Sequence, residues 1–203
     1  MAQVSLITLI ADARSGRLVS FPTDTVPALA VLPDRAEQLF SAKQRDLSKP
    51  LILMAATLES LWDYVVGSEA ERAIWQQVAK RYLPGALTLV LPASSQVPTA
   101  MNPLDPSTIG VRVPDHPIAQ AILQATGPLA TTSANLSNQP TLRTMAEIAT
   151  QFPDVSTLSS LEIETSPGSA VASGIPSTVI EWSGVSWKVL RQGAIAFDAA
   201  LGV

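Results

Sequence analysis

Several short polar clusters, each at the edge of an apolar run, are the places where this chain could do chemistry. They are Pro22-Thr23-Asp24-Thr25, Lys43-Gln44-Arg45 with Lys49, Thr108 with Arg112, Ser133-Ala134-Asn135, Ser177-Thr178, and Arg191 with Gly193. Cations and hydroxyls dominate these clusters. Arg112 stands inside the apolar segment Ile109-Gly110-Val111-Arg112-Val113. Its side chain must leave the core face or meet an anion, because an unpaired buried charge is costly. Arg191 repeats the situation after Val189-Leu190.

Each cluster also has a plainer reading. Lys43 can simply complement a helix dipole. Ser133 and Asn135 can form a turn, and Thr23-Asp24-Thr25 can cap a helix. Asp24 is a candidate Mg²⁺ ligand or, equally, a turn residue. His116 beside Asp115 makes a hydrolase triad conceivable. Val113-Pro114-Asp115-His116-Pro117 nevertheless reads more simply as a strand end and a helix start.

The chain has 203 residues, with 13 Lys+Arg against 17 Asp+Glu, one His and no Cys. Without Cys there is no disulfide scaffold, thiolate nucleophile or cysteine metal site, and one His excludes a multi-histidine centre. No GxxxxGK[ST], GxGxxG or GxSxG is present, so neither a P-loop, a Rossmann fingerprint nor a hydrolase elbow applies. The net charge of −4 argues against a wrap-around nucleic-acid binder and makes any anion site local. Hydrophobic residues form 47% and charged ones 15%, against a usual charged share of about 25%, so the chain is globular. The longest apolar run, Leu51–Ala56, is far below the roughly 20 residues that span a bilayer. Met1-Ala2-Gln3-Val4-Ser5 lacks a basic signal-peptide start, so a cytoplasmic location is expected.

Helices and strands must position these clusters. Leu6, Leu9, Ile10 and Ala13 share helical spacing, with Gly16 as the stop. Capping-box patterns at Asp34/Glu37, Ser68/Glu71 and Thr144/Glu147 predict three further helices, the first running to about Lys43. A short helix is expected from Thr57 to Tyr64, and another opens at Pro117. Strands are expected at Arg17–Phe21, Leu51–Ala55, Ala86–Leu91, Thr108–Val113, Pro128–Thr132, Ser177–Trp182 and Trp187–Arg191. The order predicts one domain over residues 1–203, with its core about 6–195, built as a mixed sheet covered by helices. Two long connections, Ser94–Ser107 and Thr165–Pro176, are candidate binding loops or lids, or plain mobile links.

Taken together, the motifs resemble a known family. Phe21-Pro22-Thr23-Asp24-Thr25-Val26, Lys43-x-Arg45…Lys49-Pro50-Leu51, Pro84-Gly85-x-x-Thr88 and Gly110-Val111-Arg112-Val113-Pro114-x-His116 occur in that order. Ser133-Ala134-Asn135-x-Ser137, Ser177-Thr178-Val179 and Leu190-Arg191-x-Gly193 complete the series. The chain is similar to the YrdC/TsaC-like threonylcarbamoyl-AMP synthases, in their short form without a further C-terminal domain. The resemblance implies an α/β twisted open mixed sheet with a large, positively charged concave cavity. It implies a nucleotidyltransferase that joins L-threonine, bicarbonate and ATP, with Mg²⁺, into threonylcarbamoyl-AMP and pyrophosphate. A downstream tRNA threonylcarbamoyl transferase would use the adenylate to make N6-threonylcarbamoyladenosine.

By the same resemblance Lys43 and Arg45 are catalytic, and Lys43, Arg45, Lys49, Thr108, Ser133, Asn135, Arg143 and Arg191 line the ATP side. Thr23, Thr25, Arg112 and Ser177 would hold threonine. Three departures stand out: Val26-Pro27-Ala28-Leu29 where the family reads VYGL, Met54 where some members carry histidine, and Asn138 where glycine is usual. They leave room for an altered-specificity or non-catalytic paralogue that binds double-stranded RNA, tRNA or the ribosome through the same basic cavity. Aromatic residues make up only 5% of the chain, which limits base stacking.

Overall fold

A computed structural model describes residues 3–166 and 172–197. Its strands are β1 (Gln3–Val4), β2 (Val19–Phe21), β3 (Ala28–Val31), β4 (Ile52–Met54), β5 (Leu87–Pro92), β6 (Thr108–Arg112), β7 (Leu129–Ser133), β8 (Ser156–Leu158), β9 (Thr178–Trp182) and β10 (Trp187–Arg191). They form one sheet in the order β1-β8-β2-β3-β7-β4-β6-β5-β9-β10. Four neighbouring pairs are parallel (β1/β8, β2/β8, β4/β6, β5/β9) and five antiparallel, so the sheet is mixed as expected.

The helices are α1 (Leu6–Arg14), α2 (Glu37–Lys43), α3 (Glu69–Tyr82), α4 (Pro117–Thr126), α5 (Met145–Gln151) and α6 (Ser160–Thr165). Gly16, at φ +79°, follows the end of α1. Both predicted capping boxes at Ser68/Glu71 and Thr144/Glu147 are formed, satisfying first-turn N–H groups of α3 and α5. Pro117 takes the first position of α4, where a missing N–H costs nothing.

The differences from expectation have local causes. No capping box forms at Asp34/Glu37: Pro33 starts a 3₁₀ turn over Pro33–Arg35, and α2 opens after Ala36 with no side-chain cap. Thr57–Tyr64 is a 3₁₀ helix over Glu59–Tyr64, not an α-helix. The Arg17–Phe21 strand begins only at Val19. No helix follows Thr23-Asp24-Thr25; a bend leads straight into β3, which the pattern did not predict. All four β3 residues are buried, so they show no alternation. Strands β1 and β8 have two and three residues, too short for a periodic signal. The Ser94–Ser107 connection holds a 3₁₀ turn, and its Met101 is fully buried with its carbonyl bonded to Leu51 N–H. In Thr165–Pro176, residues 167–171 lie outside the described residues.

Helix α3 is fastened to the β9–β10 end of the sheet by an aromatic cluster. Trp75 is fully buried, edge-on to Trp182, which in turn meets Trp187. Replacing Trp75 by Ala removes a large buried side chain and should cost about 3–5 kcal/mol. Denaturant titration reads that loss, and an unchanged midpoint would deny α3 this anchoring role.

Candidate active site

Strands present successive side chains to opposite faces, and here that alternation sorts core from site. On β6, Ile109 and Val111 are buried in the hydrophobic core while Gly110 and Arg112 face the other way. Register carries the same face sideways: Ile52 pairs with Gly110 and Met54 with Arg112, Val90 pairs with Gly110, and Thr88 and Val90 adjoin Val179 and Glu181. These residues line two adjoining hollows on one sheet face. The smaller, of about 600 Å³, is lined among others by Thr25, Arg45, Arg112, Ser133, Ser177 and Arg191. The larger adds Lys49, Asn102, Leu104 and Thr108 and shares Arg45 and Arg191.

The Lys43-x-Arg45 pair straddles a helix end. Gln44, in the left-handed conformation at φ 49°, stops α2 and turns the chain, with Arg45 N–H bonded back to Phe40 O. Lys43 lies on the face of α2 that also buries Leu39 and Phe40, four and three residues earlier, so it points inward. Its Nζ donates to the Ser133 carbonyl, to Thr132 Oγ1 at 3.1 Å and to Ser133 Oγ at 3.5 Å. Arg45 instead reaches the hollow, held by Lys49 O (2.8 Å) and Pro50 O (3.0 Å). Burial, reinforced by Arg45 and Lys49, lowers the Lys43 pKa to about 7. Burial and Arg191 lower that of Arg45 to about 10.

Arg112 is nearly fully buried, and its charge is met by Asp24 Oδ1 at 2.6 Å. Its other contacts are Thr25 Oγ1 (2.9 Å) and Gly85 O (3.1 Å). Among the described residues these bonds use three of the guanidinium's five N–H groups. Burial pushes its pKa down, Asp24 opposes that, and Arg191 adds to it. Thr23 does not line either hollow. Its hydroxyl donates to Val26 O (2.7 Å) and accepts from Thr25 N–H (3.2 Å), shaping the turn that presents Thr25.

Arg191 faces the site because β10 is bulged. Val189 pairs with Ile180, but Arg191 pairs with Val179, so Leu190 is the extra residue. An unbroken ladder would put Arg191 opposite Thr178, on the core side. With the bulge, Arg191 and Leu190 both line the larger hollow, and Arg191 donates to Ser177 O at 2.8 Å. Ser177 Oγ in turn bonds Thr88 Oγ1 at 2.8 Å. Gly193 makes this approach feasible: a Cβ there would lie 2.2 Å from Pro176 O and 2.4 Å from Ser177 C.

The other expected residues stand at different depths. Thr108 and Lys49 line the larger hollow. Asn135 stands behind the wall, accepting from Ser133 Oγ (2.6 Å) and donating to Leu136 O and Gln139 O (2.8 Å each). Arg143 lies outside both hollows, beside Gly174, whose N–H bonds Thr25 O. His116 is buried at the N-cap of α4 with Nδ1 unpartnered, and burial lowers its pKa. Neither hollow has His116 in its lining. Sequence reasoning assigned nothing to Thr88, Asn102 or Glu181, although Thr88 sat in a quoted motif. Among the described residues no cluster of three metal-ligating side chains exists. The carboxylates near the hollows are Asp24, paired to Arg112, with Asp105 and Glu181 in the larger lining.

Residues 12–193 match the Sua5/YciO/YrdC family, described as "Telomere recombination". The chain belongs to that family. It is 34% identical over 199 residues to "Threonylcarbamoyl-AMP synthase" of Bacillus subtilis (strain 168), covering 93% of this chain and 54% of that protein. Its identity to the protein of the same name from Vibrio campbellii is 37% over 145 residues, 70% of this chain and 77% of that one. Among solved structures, "Crystal structure of P. abyssi Sua5 complexed with L-threonine" superposes with a TM-score of 0.79 at 30% identity, covering 93% of this chain and 54% of that one. The chain thus spans about half the length of the first of these curated relatives. No helix among the described residues is long and apolar enough to cross a membrane.

Two predictions follow from this Sua5/YciO/YrdC site geometry. Gly193→Ala forces the Pro176–Ser177 backbone to move, so Arg191 and Ser177 should lose register with the hollow. A crystal structure of the variant with the Arg191–Ser177 bond unchanged would refute this. Lys43 supplies the second. Its folded pKa of about 7 lies below the ordinary 10.5, so between those values the unfolded chain binds the extra proton. Stability relative to Lys43→Met should therefore rise with pH from about 7 to 10.5. A flat difference across that window would mean that Lys43 is not desolvated as described.

Proposed function

We propose that this chain forms threonylcarbamoyl-AMP and pyrophosphate from L-threonine, bicarbonate and ATP, for N6-threonylcarbamoyladenosine in tRNA. The observation that carries the reading is the convergence of Arg45, Arg112 and Arg191 on one hollow, with Lys43 behind its wall and Lys49 next door. The names of the family relatives, and the threonine in the P. abyssi structure, support the substrate assignment.

In this reading Arg112 directs its remaining N–H groups to the threonine carboxylate, beside Thr25 and Ser177, with Thr23 shaping the turn. The threonine amine attacks bicarbonate-derived CO₂ and releases a proton, giving a carbamate. A carbamate oxygen then attacks the α-phosphorus of ATP, and the bond to pyrophosphate breaks. Such transfers depend on positioning and charge stabilisation rather than on a protein nucleophile. Arg45, Lys49 and Arg191 would surround the phosphates, and Lys43 would fix the Ser133 backbone that faces them. Thr108 would border the nucleotide in the larger hollow, Asn135 would brace Ser133, and Arg143 would steady the Gly174 segment. Asp105 and Glu181 in the lining of the larger hollow would be the residues to hold a Mg²⁺, which would supply charge neutralisation for the phosphates. Among the described residues no aromatic side chain lines either hollow, so neither offers a stacking platform for RNA bases.

Pyrophosphate release from ATP tests the proposal. It should require both threonine and bicarbonate and fall away with serine or with no amino acid. Lys43→Ala and Arg45→Ala should each lower the rate by about 10²–10³. No threonine-dependent release, together with salt-sensitive RNA binding, would overturn the reading, and near-normal turnover in both variants would remove these residues from the chemistry.

A further inference from the structure

Lys49 Nζ donates to Asn138 Oδ1 at 2.6 Å, across 89 residues of sequence. Nothing in the proposed chemistry requires Asn138, yet its loop is firmly placed. Asn135 Nδ2 bonds the carbonyls of Leu136 and Gln139, and Ser137 N–H bonds Lys43 O at the end of α2. Asn138 itself sits at φ 65°, a left-handed conformation that asparagine tolerates better than most side chains.

We infer that Asn138 is a positioning residue that holds the Lys49 ammonium ready for an anionic phosphate in the larger hollow. The inference rests on the nucleotide reading of that hollow and adds to it a residue that touches no substrate. A lysine side chain loses considerable rotamer freedom when it is fixed, and a free Lys49 would lose it on binding. With Asn138 taking one of the three ammonium N–H groups, two remain for phosphate. The partner is an amide, so it orients the cation without cancelling its charge. Lys49 is close enough to the buried cations to help lower the Lys43 pKa, which places its charge within the field of the site.

ATP binding by calorimetry in a double-mutant cycle tests this. Glycine also tolerates φ 65°, so Asn138→Gly removes the side chain without straining the turn. Asn138→Gly should weaken ATP binding about threefold to tenfold and leave threonine binding unchanged. In a Lys49→Ala background the same substitution should have no effect. Asn138→Asp should weaken ATP binding more than Asn138→Gly, because a carboxylate would neutralise Lys49. Equal losses from Asn138→Gly with and without Lys49 would overturn the inference while leaving the nucleotide reading intact. Unaltered ATP affinity in Lys49→Ala alone would instead remove Lys49 from the phosphate site, and the positioning role with it.

Discussion

The site depends on keeping several cations close together without cancelling their charge. Its solution is to hold them by neutral oxygens. Lys43 is held by the Ser133 carbonyl, Arg45 by the carbonyls of Lys49 and Pro50, and Arg191 by that of Ser177. Lys49 is held by an amide oxygen. A carbonyl dipole satisfies an N–H and fixes geometry, but it leaves the positive potential available to an anion. Among the described residues only Arg112 of this group is paired with a carboxylate, Asp24. It is also the most deeply placed of the guanidinium groups, where an unpaired charge would cost most. In a chain of net charge −4 these cations are a local cluster and not part of a generally basic surface.

The arrangement opposes itself, because like charges at short range destabilise the folded state. Desolvation is the larger cause of the lowered pKa values of Lys43 and Arg45, and repulsion from neighbouring cations adds to it. What supports it is the sheet. Its opposite face buries Leu53, Leu87, Leu89, Leu91, Val111 and Ile180 in a continuous core. Since the alternation along each strand is fixed by backbone geometry, that apolar packing also sets where Arg112, Thr88 and Ile52 stand. Core burial and site geometry are two readings of one register, so a slip of one residue would lose both.

That coupling explains what the sequence revealed. Arg112 was legible because a charge inside Ile109–Val113 has only a few places to go, and the observed one is the face away from the core. The mixed sheet and two capping boxes followed from local pattern alone. The orientation of Arg191 did not, since it depends on one extra residue at Leu190, and a bulge of this kind leaves no period to count. Thr23 was legible as a polar residue near a strand end and Lys43 as one at a helix end, but the groups they meet were not. Both meet backbone carbonyls of the protein, Lys43 from the face of α2 that also buries Leu39 and Phe40, and Thr23 across the tight turn to Val26. Asn138 was visible only as a departure from the family pattern; its contact with Lys49 joins segments far apart in sequence.

The other departure, Val26-Pro27-Ala28-Leu29, can be weighed by the same accounting of backbone groups. Proline removes an N–H and fixes φ, so it fits a sheet only where that donor has no partner to meet. Pro27 lies just before β3, and its carbonyl accepts from Ala134 N–H, so it continues toward β7 through the one group it still has. The fold therefore accommodates the change without losing a ladder bond at β3. Its effect falls instead on the hollow, whose wall includes Pro27, Ala28 and Met54 beside Thr25 and Arg112. These are apolar surfaces next to the group proposed to take the amino-acid carboxylate. They adjust the shape available to a substrate side chain, while the cations that would meet the phosphates belong to other strands and loops. Shape on one side and charge on the other are thus set by separate parts of the chain, and the first can vary without dismantling the second.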